Sequence, residues 1–143
     1  MMDHERLAMI EKFLEEFTKW AEDQPEIHAV ALVGSYANHT VTVRSDVDLV
    51  ILVDEPNHFL QNTQWIGQFG DVEKQQLEEY GRVTSIRVWY QDGHEVEFGI
   101  TDTLWGSDPE DAGTQQIIRG GLRILFDRDH CLNQHISDRQ DPA

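Results

Sequence analysis

The hydrophobic positions of this chain follow two periods, which predict helices and strands in alternation. From Asp3 to about Asp23, apolar residues recur at steps of three and four, with Glu and Lys between them. This spacing predicts an amphipathic helix, within an N-terminal helical segment of residues 1–25 that ends near Pro25. Ile27 to Val33 is a short apolar run between a proline and a glycine, so it predicts a buried strand.

The rest of the pattern predicts a mixed sheet. Further strands are predicted at Asp46–Asp54, Val83–Tyr90, Val96–Ile100 and Leu122–Phe126, and helices from Pro56 to about Gly70 and from Asp108-Pro109-Glu110 to Gly120-Gly121. Val72–Tyr80 fits either a helix or a strand. Asp92-Gly93 lies between two strand-like runs and predicts a type I′ hairpin, in which both central residues need positive φ. This order of elements predicts an α/β fold of the α+β type, with a mixed central sheet flanked by helices.

Length, charge and cysteine content restrict the class of protein. We expect one domain over residues 1–143, with residues 130–143 as a polar tail. The 27 acidic and 11 basic residues give a formal net charge of -16, which argues against non-specific binding of nucleic acid. Cys131 is the single cysteine, the N-terminus is polar, and no apolar run is long enough to span a membrane. We therefore expect a cytoplasmic protein.

Two aspartates at the start of a predicted strand are the strongest chemical signal. Asp46 and Asp48 alternate with Val47 and precede the apolar run Leu49–Val53. Because side chains two apart in a strand share a face, the two carboxylates lie roughly 6.6 Å apart on one side of the sheet. Two like charges beside an apolar run are costly unless a cation compensates them, so this pair predicts a divalent metal site.

A second acidic cluster, Glu95-Val96-Glu97, lies on the far strand of the predicted hairpin. If that strand pairs with the strand of Asp46 and Asp48, Glu97 can face the two aspartates. Three carboxylates suit magnesium, which prefers oxygen ligands and keeps room for water and substrate phosphates. Gly34 would allow a close approach of the backbone to phosphates, and Ser35 could donate hydrogen bonds to them.

These residues resemble the nucleotidyltransferase superfamily, which includes DNA polymerase beta and the antibiotic and minimal nucleotidyltransferases. The shared pattern is Gly34-Ser35, then Asp46-Val47-Asp48 within a strand, then an acidic residue on a later strand, here Glu97. The resemblance covers about residues 27–101. It implies that Asp46, Asp48 and Glu97 are catalytic and hold two Mg²⁺ ions, or Mn²⁺, that Glu97 acts as a general base, and that Gly34-Ser35 cradles a triphosphate.

The chain departs from the superfamily pattern after the glycine and serine. Many small members carry arginine and glycine where this chain has Asn38 and His39. Arg44 is our candidate for the missing nucleotide-binding charge, with Arg82 and Arg87 as alternatives. Glu95 is an alternative third carboxylate, because it shares a strand face with Glu97.

The resemblance implies an enzyme that moves a nucleoside monophosphate, with AMP from ATP as the expected case, to a hydroxyl of a small molecule or a protein. The alternatives are a catalytically idle module that binds nucleotides and regulates a partner, and an antitoxin-like partner of a helical protein. A homo-oligomer is a further expectation. The sequence does not identify the acceptor.

Overall fold

The computed structural model describes residues 4–34, 46–107, 110–130 and 132. The helices are α1 (His4–Glu22), α2 (Pro56–Gln61) and α3 (Ala112–Arg119), with short 3₁₀ helices at Gln64–Phe69 and Arg128–His130. The strands are β1 (Ile27–Val33), β2 (Val47–Val53), β3 (Val72–Tyr80), β4 (Val83–Tyr90), β5 (Glu95–Thr101) and β6 (Leu122–Asp127). None of the helices in this part of the chain combines the length and apolar character that a membrane span needs.

The six strands form one mixed sheet in the order β3-β4-β5-β2-β1-β6. β2 and β5 are parallel neighbours at the centre, and the other neighbouring pairs are antiparallel. Since β2 and β5 run in the same direction, residues at their starts meet at the same end of the sheet. The prediction of a mixed central sheet flanked by helices is confirmed.

One face of the sheet is covered by α1 and by the segment that contains α2. Phe13 and Phe17 of α1 pack edge-on or tilted against Phe98 of β5, at centroid distances of 6.2 and 5.6 Å. Alternate residues of the central strands join this cluster, among them Leu49 and Ile51. This face therefore holds the larger part of the hydrophobic core.

The opposite face is apolar in one part and acidic in another. Val50 and Leu52 of β2 lie in a second buried cluster with Trp105 and with Ile118 of α3. Helices thus pack on both faces of the sheet. Asp48 shares the face of Val50, because side chains two apart point the same way. The acidic residues at the start of β2 consequently lie next to this smaller core.

Three local predictions need correction or completion. Residues 72–80, which fitted either helix or strand, form β3. The predicted helix from Pro56 to Gly70 is divided into α2 and a 3₁₀ helix. The type I′ prediction at Asp92-Gly93 is wrong: among the described non-glycine residues only His130 has a positive φ. The turn is closed by the Gly93 N–H, which donates to the Tyr90 carbonyl at 3.0 Å, and Gly93 has φ +98°.

Candidate active site

The parallel pairing of β2 and β5 brings the predicted carboxylates together. Asp48 lies opposite Glu97 in the register of the two strands, and Asp46 precedes β2 on the same face as Asp48. Asp46, Asp48 and Glu97 each offer one carboxylate oxygen, and these three atoms lie within 4.8 Å of one another. We call these three residues the acidic triad. Three oxygens this close form a donor set of the kind that Mg²⁺ or Mn²⁺ prefers.

Gly34 lies directly against the triad at the end of β1. Its φ is +76°, a conformation that residues with a Cβ rarely adopt. A Cβ placed on Gly34 would lie 2.6 Å from Asp48 Oδ2. The glycine therefore both turns the chain out of β1 and leaves the space that the Asp48 carboxylate occupies.

Asp48 is the electrostatic centre of the triad. Its Oδ1 is buried and has no hydrogen-bond partner among the described residues. The pKa of Asp48 is raised to about 9, mainly by burial and further by the charge of Asp46 and a hydrogen bond with Glu97. Without a cation, Asp48 is therefore protonated at neutral pH. A divalent ion that replaced this proton would satisfy both the orphaned oxygen and the repulsion within the triad.

Arg87 of β4 lies beside the triad and contacts four carboxylates. Its Nη1 lies 2.6 Å from Glu95 Oε2 and 3.4 Å from Asp46 Oδ2, its Nη2 lies 3.2 Å from Glu97 Oε2, and its Nε lies 2.9 Å from Glu78 Oε1. Burial alone would lower the pKa of Arg87, but hydrogen bonds with Glu78 and Glu95 outweigh it and hold that pKa above its usual value. The guanidinium is thus a permanent positive charge among these acids.

A cavity of about 690 Å³ opens beside the triad. Its floor includes Gly99 of β5, where a Cβ would lie 2.8 Å from the backbone oxygen of Leu49 and 2.9 Å from Val83 Cγ1. Its walls come from the end of β1, the turn between β3 and β4, and α3: Val33, Gly34, Tyr80, Gly81, Arg82, Val83, Asp111, Gly113, Thr114, Ile117 and Gly120. A volume of this size suits a small-molecule ligand.

A polar network borders the end of the cavity near α3. Arg82 lies 3.7 Å from Asp102 Oδ1 and 3.8 Å from Asp111 Oδ2, and Thr114 Oγ1 donates to Asp111 Oδ2 at 2.7 Å. Thr101 Oγ1 donates to the Arg82 carbonyl at 2.7 Å. These contacts link the β3–β4 turn to β5 and to the start of α3 at the border of the cavity.

The structure brings together some of the predicted site residues. Asp46, Asp48, Glu97 and Gly34 meet at one point. Ser35 and Arg44 lie outside the described residues, as do Asn38 and His39. Of the alternatives, Glu95 contacts Arg87 rather than joining the triad, Arg87 lies beside the triad, and Arg82 borders the cavity with two acidic partners.

Sequence reasoning missed two features of this site. No prediction included Glu78, because residues 72–80 were not assigned to a helix or to a strand. The distance of Glu78 from the triad was therefore unknown. Gly99 was also missed, although a glycine within a buried strand often marks a close approach of a ligand or of another backbone. Arg87 was named only as an alternative cation, because its position between Ile86 and Val88 indicates no more than a side chain on the face opposite theirs.

Comparison with known protein families shows which family the chain belongs to. A family model described as streptomycin adenylyltransferase matches residues 8–142. The chain belongs to this family. The match confirms the prediction of a nucleotidyltransferase superfamily member and supports the prediction of an enzyme of that type. Comparison with curated proteins found no match.

Several solved structures share the fold of this adenylyltransferase-family chain. An aminoglycoside 6-adenyltransferase from Bacillus subtilis is 17% identical, with a TM-score of 0.53 over 77% of this chain and 38% of that one. Cid1 in complex with its short product ApU is 14% identical, with a TM-score of 0.53 over 72% of this chain and 33% of that one. A cytoplasmic RNA terminal U-transferase is 11% identical, with a TM-score of 0.54, and the match covers 82% and 35% of the two chains. The chain thus spans about a third of the length of these proteins.

Proposed function

We propose that this chain is a magnesium-dependent nucleotidyltransferase domain that moves AMP from ATP to a hydroxyl group. The observation that carries the proposal is the acidic triad, with three carboxylate oxygens within 4.8 Å beside a cavity of about 690 Å³. Membership of an adenylyltransferase family favours ATP as the donor. We also propose that residues 1–143 act as one domain and that the protein is cytoplasmic.

The residues present fit a divalent metal. Asp48 Oδ1 is buried without a partner among the described residues, and every potential ligand of the triad is a carboxylate oxygen. We assign Asp46, Asp48 and Glu97 as the metal ligands, with two Mg²⁺ ions as the expected number. Bound there, the ions would neutralise charge on the phosphates of the donor and on the pyrophosphate that leaves.

The chain's own residues accept the proton and bind the nucleotide in the reaction. The acceptor hydroxyl oxygen forms a bond to the α-phosphorus, and the bond from that phosphorus to the oxygen bridging it to the β-phosphate breaks. Pyrophosphate leaves, and Glu97 takes the hydroxyl proton as general base. Gly34 and Ser35 hold the triphosphate through backbone and hydroxyl donors, and Arg44 adds positive charge.

Our second proposal concerns the chemical class of the acceptor. The family description and one structural neighbour name streptomycin and aminoglycosides, which are hydroxyl-bearing compounds. A small hydroxyl compound therefore has priority over a protein side chain in a first screen. We also propose a helical partner protein or a second copy of the chain as a source of further acceptor contacts.

The test measures transfer and binding in parallel. Protein, MgCl₂, ATP labelled at the α-phosphate and a panel of hydroxyl acceptors should give a labelled product and pyrophosphate, and Asp48→Ala should abolish both. Asp54→Ala is the matched control, because Asp54 follows the opposite end of β2 and pairs with His28 at 2.8 Å, away from the triad. Equal turnover in wild type and Asp48→Ala would refute the proposal.

Calorimetry with a non-hydrolysable ATP analogue and Mn²⁺ separates the enzyme from the idle module. An active transferase binds the analogue and releases pyrophosphate from ATP. Binding without turnover on any acceptor would favour the regulatory module instead. Absence of nucleotide binding would overturn both.

A further inference from the structure

Arg87 is anchored by two carboxylates that lie outside the acidic triad. Its shortest contacts are with Glu95 at 2.6 Å and Glu78 at 2.9 Å, while those with Glu97 and Asp46 are 3.2 and 3.4 Å. Glu78 is on β3 and Glu95 on β5, the two strands that flank β4. The guanidinium is therefore fixed from both sides, and its remaining N–H groups point at the triad.

The sheet register places Arg87 on one flank of the triad only. Arg87 lies opposite Glu97 in the β4–β5 pair, and Glu97 lies opposite Asp48 in the β2–β5 pair. The three side chains thus form a row across the sheet in the order Arg87, Glu97, Asp48. Arg87 reaches Glu97 Oε2 and Asp46 Oδ2 but makes no hydrogen bond to Asp48, whose Oδ1 has no partner among the described residues.

Among the described residues, Arg87 and a bound cation would use different oxygens of the same two carboxylates. Arg87 occupies one oxygen of Glu97 and one of Asp46, and its side chain is only 24% exposed, so its own rotamer is restricted. Each of these carboxylates has a second oxygen with which to bind a cation. A charge-assisted contact on one oxygen orients the other, as partners behind metal ligands do in general.

We propose that Arg87 is a positioning residue that orients the metal-binding carboxylates of Asp46 and Glu97, held in place for this task by Glu78 and Glu95. The inference rests on the proposed function, because it requires a divalent cation at the triad. Its consequence is counter-intuitive: a permanent positive charge beside a cation site strengthens binding at that site. Ordering of the ligands outweighs the repulsion between the guanidinium and the bound ion.

The alternative is that Arg87 only dilutes the negative charge of the cluster. The two ideas predict opposite signs. If Arg87 acts through charge alone, Arg87→Gln makes the site more negative and Mn²⁺ binds more tightly. If Arg87 positions the ligands, Arg87→Gln frees two carboxylates to rotate and Mn²⁺ binds about tenfold more weakly, a typical effect of losing a partner behind a metal ligand.

The experiment is a Mn²⁺ titration without nucleotide, followed by the loss of the electron paramagnetic resonance signal of free Mn²⁺. KCl at about 0.15 M screens diffuse binding to the exposed acidic surface. We expect wild type to bind, Asp48→Asn not to bind, and Arg87→Gln to bind about tenfold more weakly than wild type. Arg123→Gln is the matched control: Arg123 pairs with Glu11 of α1 at 3.2 Å, on the other face of the sheet, and its loss should leave the affinity unchanged.

Arg87→Lys keeps the positive charge and tests whether the several N–H donors of the guanidinium are needed. A lysine ammonium cannot span several carboxylates as a guanidinium does, so we expect weaker Mn²⁺ binding than in wild type. Far-ultraviolet circular dichroism identifies which variants fold; if Arg87→Gln does not, Arg87→Lys decides by the same comparison. Affinity equal to or tighter than wild type in the folded variant overturns the role of Arg87 alone. No Mn²⁺ binding by wild type would instead refute the metal site and, with it, the proposed function.

Discussion

Gly34 is constrained both by its positive φ and by its contact with Asp48. Gly81 has a similar φ without such a contact, so a comparison of the two separates the backbone effect from the steric effect. Gly34 and Gly81 have φ values of +76° and +69°, but a Cβ on Gly81 would meet no described atom within 4 Å, whereas one on Gly34 would lie 2.6 Å from Asp48 Oδ2. Gly81→Ala should lower the free energy of unfolding by about 1 kcal/mol, and Gly34→Ala by about 3 kcal/mol. Urea denaturation measures both.

The same pair of variants reports on the site. Because Asp48 must turn away to admit the new methyl group, Gly34→Ala should also weaken Mn²⁺ binding, while Gly81→Ala should not. Equal stability losses in the two variants would show that the contact with Asp48 has no energetic weight. Intact Mn²⁺ affinity in Gly34→Ala would show that Asp48 adapts without loss.

The raised pKa of Asp48 predicts a pH dependence of stability in the metal-free protein. The pKa rises from 3.8 to about 9 on folding, mainly through burial, so the folded state binds more protons than the unfolded state between these values. The contribution of this group to stability is therefore fully present below pH 3.8 and is lost as pH rises toward 9. Denaturation in EDTA from about pH 6 to 9 should show falling stability. Asp48→Asn, which cannot ionise, should flatten the slope, and an unchanged slope would contradict this account.

At the scale of elements, α1 is held to the sheet by its aromatic residues. Phe17 is fully buried and lies 5.6 Å from Trp20, 5.3 Å from Phe69 and 5.6 Å from Phe98, measured between ring centroids. Phe17→Ala should cost about 3–5 kcal/mol, because it leaves a cavity that these rings cannot fill. Glu16→Ala, on the exposed side of the same helix, should change stability by less than about 0.5 kcal/mol. Urea denaturation of both variants tests this, and a small effect of Phe17→Ala would mean that α1 packs loosely.

The elements that the sequence predicted are those whose hydrophobic pattern reflects burial. α1 has one apolar stripe, and β1 and β2 are apolar apart from the half-buried His28 and Asp48, with their apolar residues buried on both faces. β3 could not be assigned because most of its residues are exposed and their types do not favour a strand. It is a strand because β4 provides a partner for its backbone, and that pairing is tertiary information.

The hairpin turn shows the same limit on a smaller scale. Asp92-Gly93 correctly marked a turn between β4 and β5, but the turn type depends on where the ladder ends. The Tyr90 N–H donates to the His94 carbonyl, so the loop has three residues, Gln91, Asp92 and Gly93, rather than two. A three-residue loop needs positive φ only at its last position, which Gly93 supplies.

For the candidate site, the sequence predicted what lies within a strand and not what lies across strands. Asp46 and Asp48 followed from the period of two, and Glu97 followed once its strand was placed beside theirs. The contacts of Arg87 depend on the register of β3, β4 and β5 together, and no local pattern fixes that register. Arg87 could therefore be named as one of several cations but not placed.

At the scale of the whole molecule, divalent cations act on this protein in two separable ways. With a net charge of -16, any salt reduces self-repulsion and stabilises the compact state, whereas the acidic triad adds a site that the unfolded chain lacks. Binding at one hundred times the dissociation constant adds about 2.7 kcal/mol. We therefore expect MgCl₂ to raise the melting temperature of wild type more than NaCl of equal ionic strength does.

Asp48→Asn separates the two effects, because it removes one metal-binding carboxylate of the triad and leaves the diffuse acidic surface almost unchanged. Its melting temperature should respond equally to MgCl₂ and NaCl at matched ionic strength. At neutral pH without metal the variant should be at least as stable as wild type, because its folding no longer requires the buried group at position 48 to take up a proton. Thermal unfolding followed by circular dichroism gives the melting temperatures of wild type and Asp48→Asn in each of the two salts. If the variant keeps the full response to MgCl₂, the cation stabilises the fold through the surface and not through the triad.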